Sequence, residues 1–400
     1  MKLLQINVSQ NVGSTGKIVE QIGELVKSKG WESYVIAGRH FNKTTSFSMP
    51  INNKLQVLWH VLISHMFDFD GLGSYWATKR IVHKIDDIKP DIIHLHVIHE
   101  AYINYPVLFT YLKKVDIPIV WTFHDCWAFT GHCTHFDFIG CEKWITHCSH
   151  CPSGYNRRKL EIMHNSFFNY SLKKKCFTSV KNMTIVCVSE WLARLTKKSF
   201  FSKYPVQVIH NGIDINVFYP RQSQLRAELS MTDDFIVIGV ANGWGRRKGF
   251  YDFIEVARRM PVWKFIMIGN IESYLEQFPQ NITTIAFLHS QDELAAYYSI
   301  SDAFLNVTYE DSYPTVNLES IACGTPVVTY NTGGSPESIK DEVGYVVEKG
   351  NVDGLLEALR RIKKKGKGHY LTECVDYASR KFRKEDCFEK YYELYKRFCK

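Results

Sequence analysis

Residues 307–339 read VTYEDSYPTVNLESIACGTPVVTYNTGGSPESI and set two carboxylates, Asp311 and Glu319, eight residues apart around the start of a helical pattern. A turn-forming tract carries Asp311. The helix opens near Val316, carries Glu319 and ends at Gly324; an apolar strand (326–329) and a glycine loop at Gly333 and Gly334 follow. Helix N-terminal amides and the positive end of the helix dipole hold phosphate oxygens. Carboxylates accept hydrogen bonds from sugar and ribose hydroxyls. Together these groups suit a sugar nucleotide, whereas a lone turn aspartate and a helix-surface glutamate would need no ligand.

Other residues offer chemistry at the ends of apolar runs. The stretch GVANGWGRRKG (239–249) joins a strand to a helix and carries Arg246, Arg247 and Lys248, cations able to stabilise a departing diphosphate. The strand 117–122 runs into Phe123-His124-Asp125, which puts His124 and Asp125 at a strand C-terminus, where α/β enzymes concentrate chemistry. Asp125 could hold the His124 tautomer or orient an acceptor. A hydrolase dyad is the other reading of this pair, but no G-x-S-x-G accompanies it. Gly13-Ser14-Thr15-Gly16-Lys17 tempts a P-loop reading that fails at Asn11 and Ile18. What remains is a loop at Gly13 and Gly16 where backbone amides can approach a phosphate. His94, His96 and His99 form H-x-H-x-x-H, read as acceptor contacts or packing more than as a metal site. Cys133, Cys141, Cys148 and Cys151 fall within GHCTHFDFIGCEKWITHCSHCP (131–152), with spacings used by tetrahedral zinc and with His132, His135, His147 and His150 as alternates. The bland alternative is buried or free thiols.

The surrounding chain must position these groups. Its 400 residues exceed one ordinary core and imply two domains, and the 45% hydrophobic content is that of a soluble globular chain. The longest apolar run, 55–67, is interrupted by His60, Ser64 and His65, and the opening MKLLQINVSQ lacks the features of a signal peptide. Eleven cysteines in that context suggest thiols or a metal site in a reducing compartment, not a disulfide framework. Residues 1–200 hold 24 Lys and Arg against 15 Asp and Glu, and the remainder 25 against 26. Arg157, Arg158, Lys159 and Lys173, Lys174, Lys175 carry much of this surplus, which would draw the first half toward an anionic membrane surface.

Strand patterns at 2–8, 33–37, 91–96, 118–123 and 184–188 alternate with helical ones. A second series falls at 235–240, 264–268, 284–288, 303–307 and 326–329. Ile18, Ile22, Leu25 and Val26 form a helical stripe ended by Gly30, and Ser290 to Glu293 reads as a capping box. The expected fold is α/β: two Rossmann-like domains facing across a cleft, the first over 1–205 and the second over 206–382, with an amphipathic helix at 383–400 crossing back to the first.

The motifs resemble those of retaining glycosyltransferases of the GT-B class, family 4, especially the enzymes of capsule, exopolysaccharide or lipopolysaccharide synthesis. That family carries E-x7-E followed by "CGTPVV". Here Asp311 replaces the first Glu, Glu310 stands beside it, Pro314 occupies a common glycine position, and Glu319 matches the second Glu. The resemblance implies that Asp311 meets sugar hydroxyls, Glu319 the ribose, and the Thr315 and Val316 amides the diphosphate. The family's R-L-x-x-x-K-G is matched by Lys248 and Gly249, while its Arg position falls on Gly243, leaving Arg246 or Arg247 to substitute. It also implies His124 beside the anomeric region, a glycine loop at Gly13 and Gly16 near donor and acceptor, and a structural junction at Asn211-Gly212-Ile213-Asp214. There the Asn-Gly pair is expected to turn through left-handed backbone, with Asp214 capping the next turn of chain. A similar cysteine-rich insert in related polysaccharide enzymes favours a structural cluster.

The implied activity is hexosyl transfer from a nucleotide sugar to a saccharide or lipid-linked saccharide, by front-side attack and without a catalytic cofactor. The implied setting is cytoplasmic, peripheral at the inner face of a membrane. A nucleotide-sugar epimerase on the same fold is the alternative. A nucleic-acid-binding protein fits poorly, because no recognition motif is present.

Overall fold

A computed structural model describes residues 1–51, 54–152, 165–271 and 278–398. The chain divides into one unit of residues 1–210 and 388–400 and a second of residues 211–387.

The first unit runs β1 (Lys2–Gln10), α1 (Gly13–Ser28), β2 (Glu32–Phe41), β3 (Phe47–Pro50), α2 (Lys54–Phe67), α3 (Tyr75–Ile88), β4 (Ile92–Leu95), α4 (Tyr105–Leu112), β5 (Ile119–Phe123), α5 (Ser166–Phe177), β6 (Met183–Cys187), α6 (Glu190–Lys198) and β7 (Val206–Val208). Its sheet order is β3-β2-β1-β4-β5-β6-β7, parallel throughout. β1 is buried almost end to end, as a strand covered on both faces must be. α1 follows the expected stripe, and Gly30 closes it at φ +81° while the Trp31 N–H bonds back to the Val26 carbonyl.

The second unit runs α7 (Leu225–Glu228), β8 (Ile236–Trp244), α8 (Phe250–Arg259), β9 (Lys264–Ile271), β10 (Ile282–Ile285), α9 (Gln291–Ile300), β11 (Ala303–Asn306), α10 (Thr315–Ala322), β12 (Val327–Tyr330), β13 (Gly344–Val347), α11 (Val352–Lys365) and α12 (Lys367–Lys381); α13 (Lys384–Lys396) then passes into the residues of the first unit. The sheet order is β10-β9-β8-β11-β12-β13, again parallel. Strand order reverses between β1 and β4 and between β8 and β11. These are the switch points at which open parallel sheets bind ligands beyond their strand C-termini.

Three details depart from expectation. The strand expected at 284–288 lies at Ile282–Ile285, and the edge strands β3, β7 and β13 carry too short an apolar pattern to be read from sequence. Gly212 is not in left-handed backbone. Its need is steric, since a Cβ there would lie 2.7 Å from the Lys384 Cα, while Asp214 takes the Asn216 N–H and pairs with Lys384 at 2.6 Å. α2 is inverted: its buried residues are His60 and Ser64, while Leu55, Leu58, Trp59 and Leu62 are 77, 65, 60 and 41% exposed. His60 anchors the helix. Its Nε2 accepts from the Gly71 and Gly73 amides (3.1 Å each) and its Nδ1 faces Ser74 Oγ at 2.9 Å. Burial pushes its pKa down to about 4, which keeps the ring in that neutral tautomer. Among the described residues no helix is long and apolar enough to cross a membrane.

Candidate functional site

The loops leaving β8 and β11 meet at the switch point of the second unit. Lys248 Nζ lies 2.8 Å from Asp311 Oδ2, both side chains about a quarter exposed (23 and 25%). Arg247 pairs more loosely with the buried Glu310, at 3.6 Å, and its carbonyl accepts from the Tyr309 N–H. Arg246 is exposed over the Tyr251 ring. Of the two arginines that sequence left open, Arg247 is thus the one tied to the acidic pair. Two glycines let the backbones close. Gly249 has φ +72°, and a Cβ there would sit 2.0 Å from the Val307 carbonyl oxygen. Gly333 has φ +55°, and its Cβ would sit 1.9 Å from that of Asp311, which also accepts the Gly334 N–H. Gly243, where the resembled motif has its Arg, has open space around its Cβ position.

Asp311 and the first turn of α10 are consecutive. Pro314 precedes Thr315 and Val316, and no side chain caps the helix, so its first amides have no capping side chain as partner. Glu319 lies one turn further on and is partly exposed. Burial first and the Glu319 carboxylate second keep Tyr298 protonated. Sequence reading missed what orients this helix. Asn317 accepts from Asn306 Nδ2 (2.8 Å) and donates to Ser335 and Ser338 (3.0 and 3.3 Å), and Ser335 in turn meets Thr329 at 2.7 Å. All five side chains are buried. The only sequence signal was a set of small polar residues where apolar ones were expected.

In the first unit, the ends of β4 and β5 bring the histidines together. His96 Nδ1 lies 3.2 Å from His124 Nε2, and His96 Nε2 lies 3.2 Å from Gln5 Oε1. His94 is spent inside the unit, on Thr122 Oγ1 (2.8 Å) and the Tyr395 hydroxyl (2.6 Å), which removes it from a metal site. The expectation that Asp125 holds His124 is corrected. Asp125 pairs with His99 at 2.9 Å and accepts the Trp127 N–H at 2.8 Å. Burial would raise the Asp125 pKa, but His99 outweighs it and brings it down to about 2; Asp125 likewise overcomes the burial of His99 and raises that ring. Burial lowers His124 to about 4 and takes His94 and His96 well below the ordinary range. The unit thus presents a half-buried neutral imidazole, His124, beside a fixed His99–Asp125 pair. The Gly13 loop closes by an Asn11 N–H to Gly16 carbonyl bond, with Gly13 at φ +66° and α1 without a side-chain cap.

Beyond Asp125, Cys133, Cys141, Cys148 and Cys151 line one small cavity together with His132. The ligand atoms of His132, Cys133 and Cys151 all lie within 4.8 Å of one another. Lys173, expected at the lipid surface, is instead buried. Its Nζ donates to the Trp127 and Thr130 carbonyls and sits 3.5 Å above the Trp127 ring. Arg157, Arg158 and Lys159 lie outside the described residues.

Two parallel α/β domains, each with its loops gathered at a switch point, make up a fold of the GT-B type. The chain superposes on a sucrose-phosphate synthase from Thermosynechococcus elongatus with a TM-score of 0.73 at 16% identity, covering 99% of this chain and 98% of that one. It superposes on Anabaena HepE in complex with UDP-glucose with a TM-score of 0.67 at 14% identity, covering 98 and 99%. Residues 16–217, just over half of the chain, match the model for Glycosyltransferase Family 4, and residues 221–381 match that for Glycosyl transferases group 1. The chain belongs to glycosyltransferase family 4. It is 22% identical over 383 residues, 89% of this chain and 90% of the other, to WcaC of Escherichia coli K12, which is ascribed a glycosyl transferase role in colanic acid biosynthesis.

Proposed function

We propose that this glycosyltransferase is a retaining enzyme. On this reading it moves a hexosyl group from a nucleoside diphosphate sugar to a saccharide or lipid-linked saccharide in surface-polysaccharide synthesis. The observation that carries the reading is the Lys248–Asp311 pair at the β8/β11 switch point, next to the uncapped start of α10. A cation, a hydroxyl acceptor and free amides then lie along one short path, as a diphosphate sugar requires. Lys248 and Arg247 meet the diphosphate, the Thr315 and Val316 amides hold its oxygens, Asp311 accepts from a sugar hydroxyl and Glu319 from the ribose. The UDP-glucose of the Anabaena structure and the role ascribed to the Escherichia coli relative support the donor class and the pathway class. In the reaction, the acceptor oxygen bonds to the anomeric carbon on the face from which the diphosphate leaves. The acceptor proton passes to a diphosphate oxygen, and the protein supplies cations and positioned dipoles. Release of free nucleoside diphosphate from donor without acceptor would favour the epimerase instead.

Calorimetry tests the division of roles. Glu319→Ala should weaken nucleoside diphosphate binding. Asp311→Ala should weaken the nucleotide sugar and leave the nucleoside diphosphate nearly unchanged. Equal loss of the diphosphate by both variants would sink the assignment.

The same reading places the enzyme peripherally on an anionic membrane, at the cytoplasmic face. The support is the inverted α2. Leu55, Leu58, Trp59 and Leu62 follow the spacing of one helix face, and that face points outward. The apolar strip continues through Phe67 and Phe69 to Phe168 on α5, with ring centroids 6.0 Å apart at each step. α5 also exposes Phe167, Lys174 and Lys175; Lys54, Lys79 and Arg80 are exposed at the other end, where Arg80 bonds Gln56. Neither α2 nor α5 contains an acidic residue. An apolar stripe rimmed by cations fits an interface of anionic lipid. The protein should co-sediment with phosphatidylglycerol-containing vesicles and not with phosphatidylcholine alone. Leu58→Glu/Trp59→Glu should cut partitioning at least about ten-fold, and Lys174→Glu/Lys175→Glu should remove its salt dependence. Absent binding at low salt, or a lipid-free dimer that the first pair of substitutions disperses, would refute the lipid reading.

A further inference from the structure

The structure assigns a zinc site to His132, Cys133, Cys151 and Cys148. The decisive atom is His132 Nε2. It is buried and has no hydrogen-bond partner, although its side chain is only 10% exposed. An abandoned polar nitrogen in that setting is costly unless something else meets it. The other ring nitrogen, Nδ1, lies 2.8 Å from Asp68 Oδ2. Asp68 accepts, so Nδ1 carries the hydrogen and Nε2 is the ring atom left to face the thiols, where a metal would take its lone pair. A carboxylate behind a histidine is the arrangement that fixes a metal ligand's tautomer and direction. Nε2 and the Cys133 and Cys151 sulfurs lie within 4.8 Å of one another and line a cavity of about 20 Å³, room for an ion. Cys148 lines the same cavity, and its sulfur accepts the Gly131 N–H at 3.3 Å, a bond suited to a thiolate. One nitrogen and three sulfurs select zinc, which binds as the thiols give up their protons.

The site's work is positional. The loop that carries it begins directly after His124 and Asp125 and is closed by a Cys126 N–H to Thr134 carbonyl bond (2.8 Å) and a Thr130 hydroxyl to Cys133 carbonyl bond (2.6 Å). Asp68 ties the same loop to the end of α2. A bound ion would join His132 and Cys133 to Cys148 and Cys151 further along the loop, so its presence is measurable whether or not the proposed sugar transfer is right.

Elemental analysis of protein purified under reducing conditions without chelator should find about one zinc per chain. His132→Ala and Cys151→Ser should each lose it, and Asp68→Asn should weaken binding by about 10–100-fold. Cys141→Ser should retain it. Cobalt exchanged into the wild type should show tetrahedral visible absorption with a sulfur-to-metal charge-transfer band. His132→Cys should keep the metal and strengthen that band, which guards against misfolding of the alanine variant. Stripping the metal should speed amide exchange in residues 126–134. No zinc and no cobalt uptake by the reduced protein, or a metal retained in both His132→Ala and Cys151→Ser, would overturn the site. Loss in Cys141→Ser with retention in Cys148→Ser would overturn the choice of fourth ligand.

Discussion

Lys248→Ala is expected to lower kcat/KM by about 10²–10³, equivalent to about 3–4 kcal/mol, while the thermal transition stays close to that of the wild type. The side chain is a quarter exposed and makes its ion pair with Asp311 at the rim of the sheet, so the core does not depend on it. On the proposed reading its effect belongs to the transition state, where a departing diphosphate would gain charge at that position. Arg247 cannot fully replace it, because its guanidinium is drawn toward Glu310. Steady-state kinetics at saturating acceptor, alongside a melting curve, decide the matter. A folded variant with unchanged kcat/KM removes Lys248 from the reaction.

Gly249→Ala should damage both stability and activity. The residue next to Lys248 has left-handed backbone, and an added methyl would stand 2.0 Å from the Val307 carbonyl oxygen. The conformational strain costs about 1–3 kcal/mol and the overlap a similar amount. Relief can come only by separating the β8 loop from β11. That movement would take Lys248 away from Asp311, so kcat/KM should fall at least as far as in Lys248→Ala. Gly243→Ala, with nothing within 4 Å of its Cβ position, is the control and should be nearly silent. Equal melting temperatures for the two variants would show that the β8 loop yields freely.

The fold class was legible because parallel strands buried on both faces leave unmistakable apolar runs between helical ones. The edge strands were not, since a strand such as Phe47–Pro50 is short and mostly exposed. The Lys248 and Asp311 loops could be read as candidates, but not as a pair, because their contact depends on β8 and β11 being neighbours in the sheet. The Asp125 error was avoidable. Adjacent residues at a strand end point to opposite faces, so Asp125 is poorly placed to serve His124 and reaches His99 instead. Lys173 misled because a run of three lysines looks solvated, yet one of three consecutive helical positions commonly turns inward. His132 among four histidines of the insert could not be singled out, since its carboxylate partner, Asp68, lies 64 residues earlier in the chain.

The ring of Asn306, Asn317, Thr329, Ser335 and Ser338 constrains how this unit can drift over evolutionary time. Each member is buried and satisfied by the others, so a single apolar replacement strands a partner and costs about 1–3 kcal/mol. A concerted exchange of several members strands none. The five positions therefore form one epistatic block spread over β11, α10, β12 and the turn after Gly334. A lineage must cross a valley of weakened intermediates to change any of them. As α10 is rotated by this ring, the direction of Glu319 is inherited with the block as a whole.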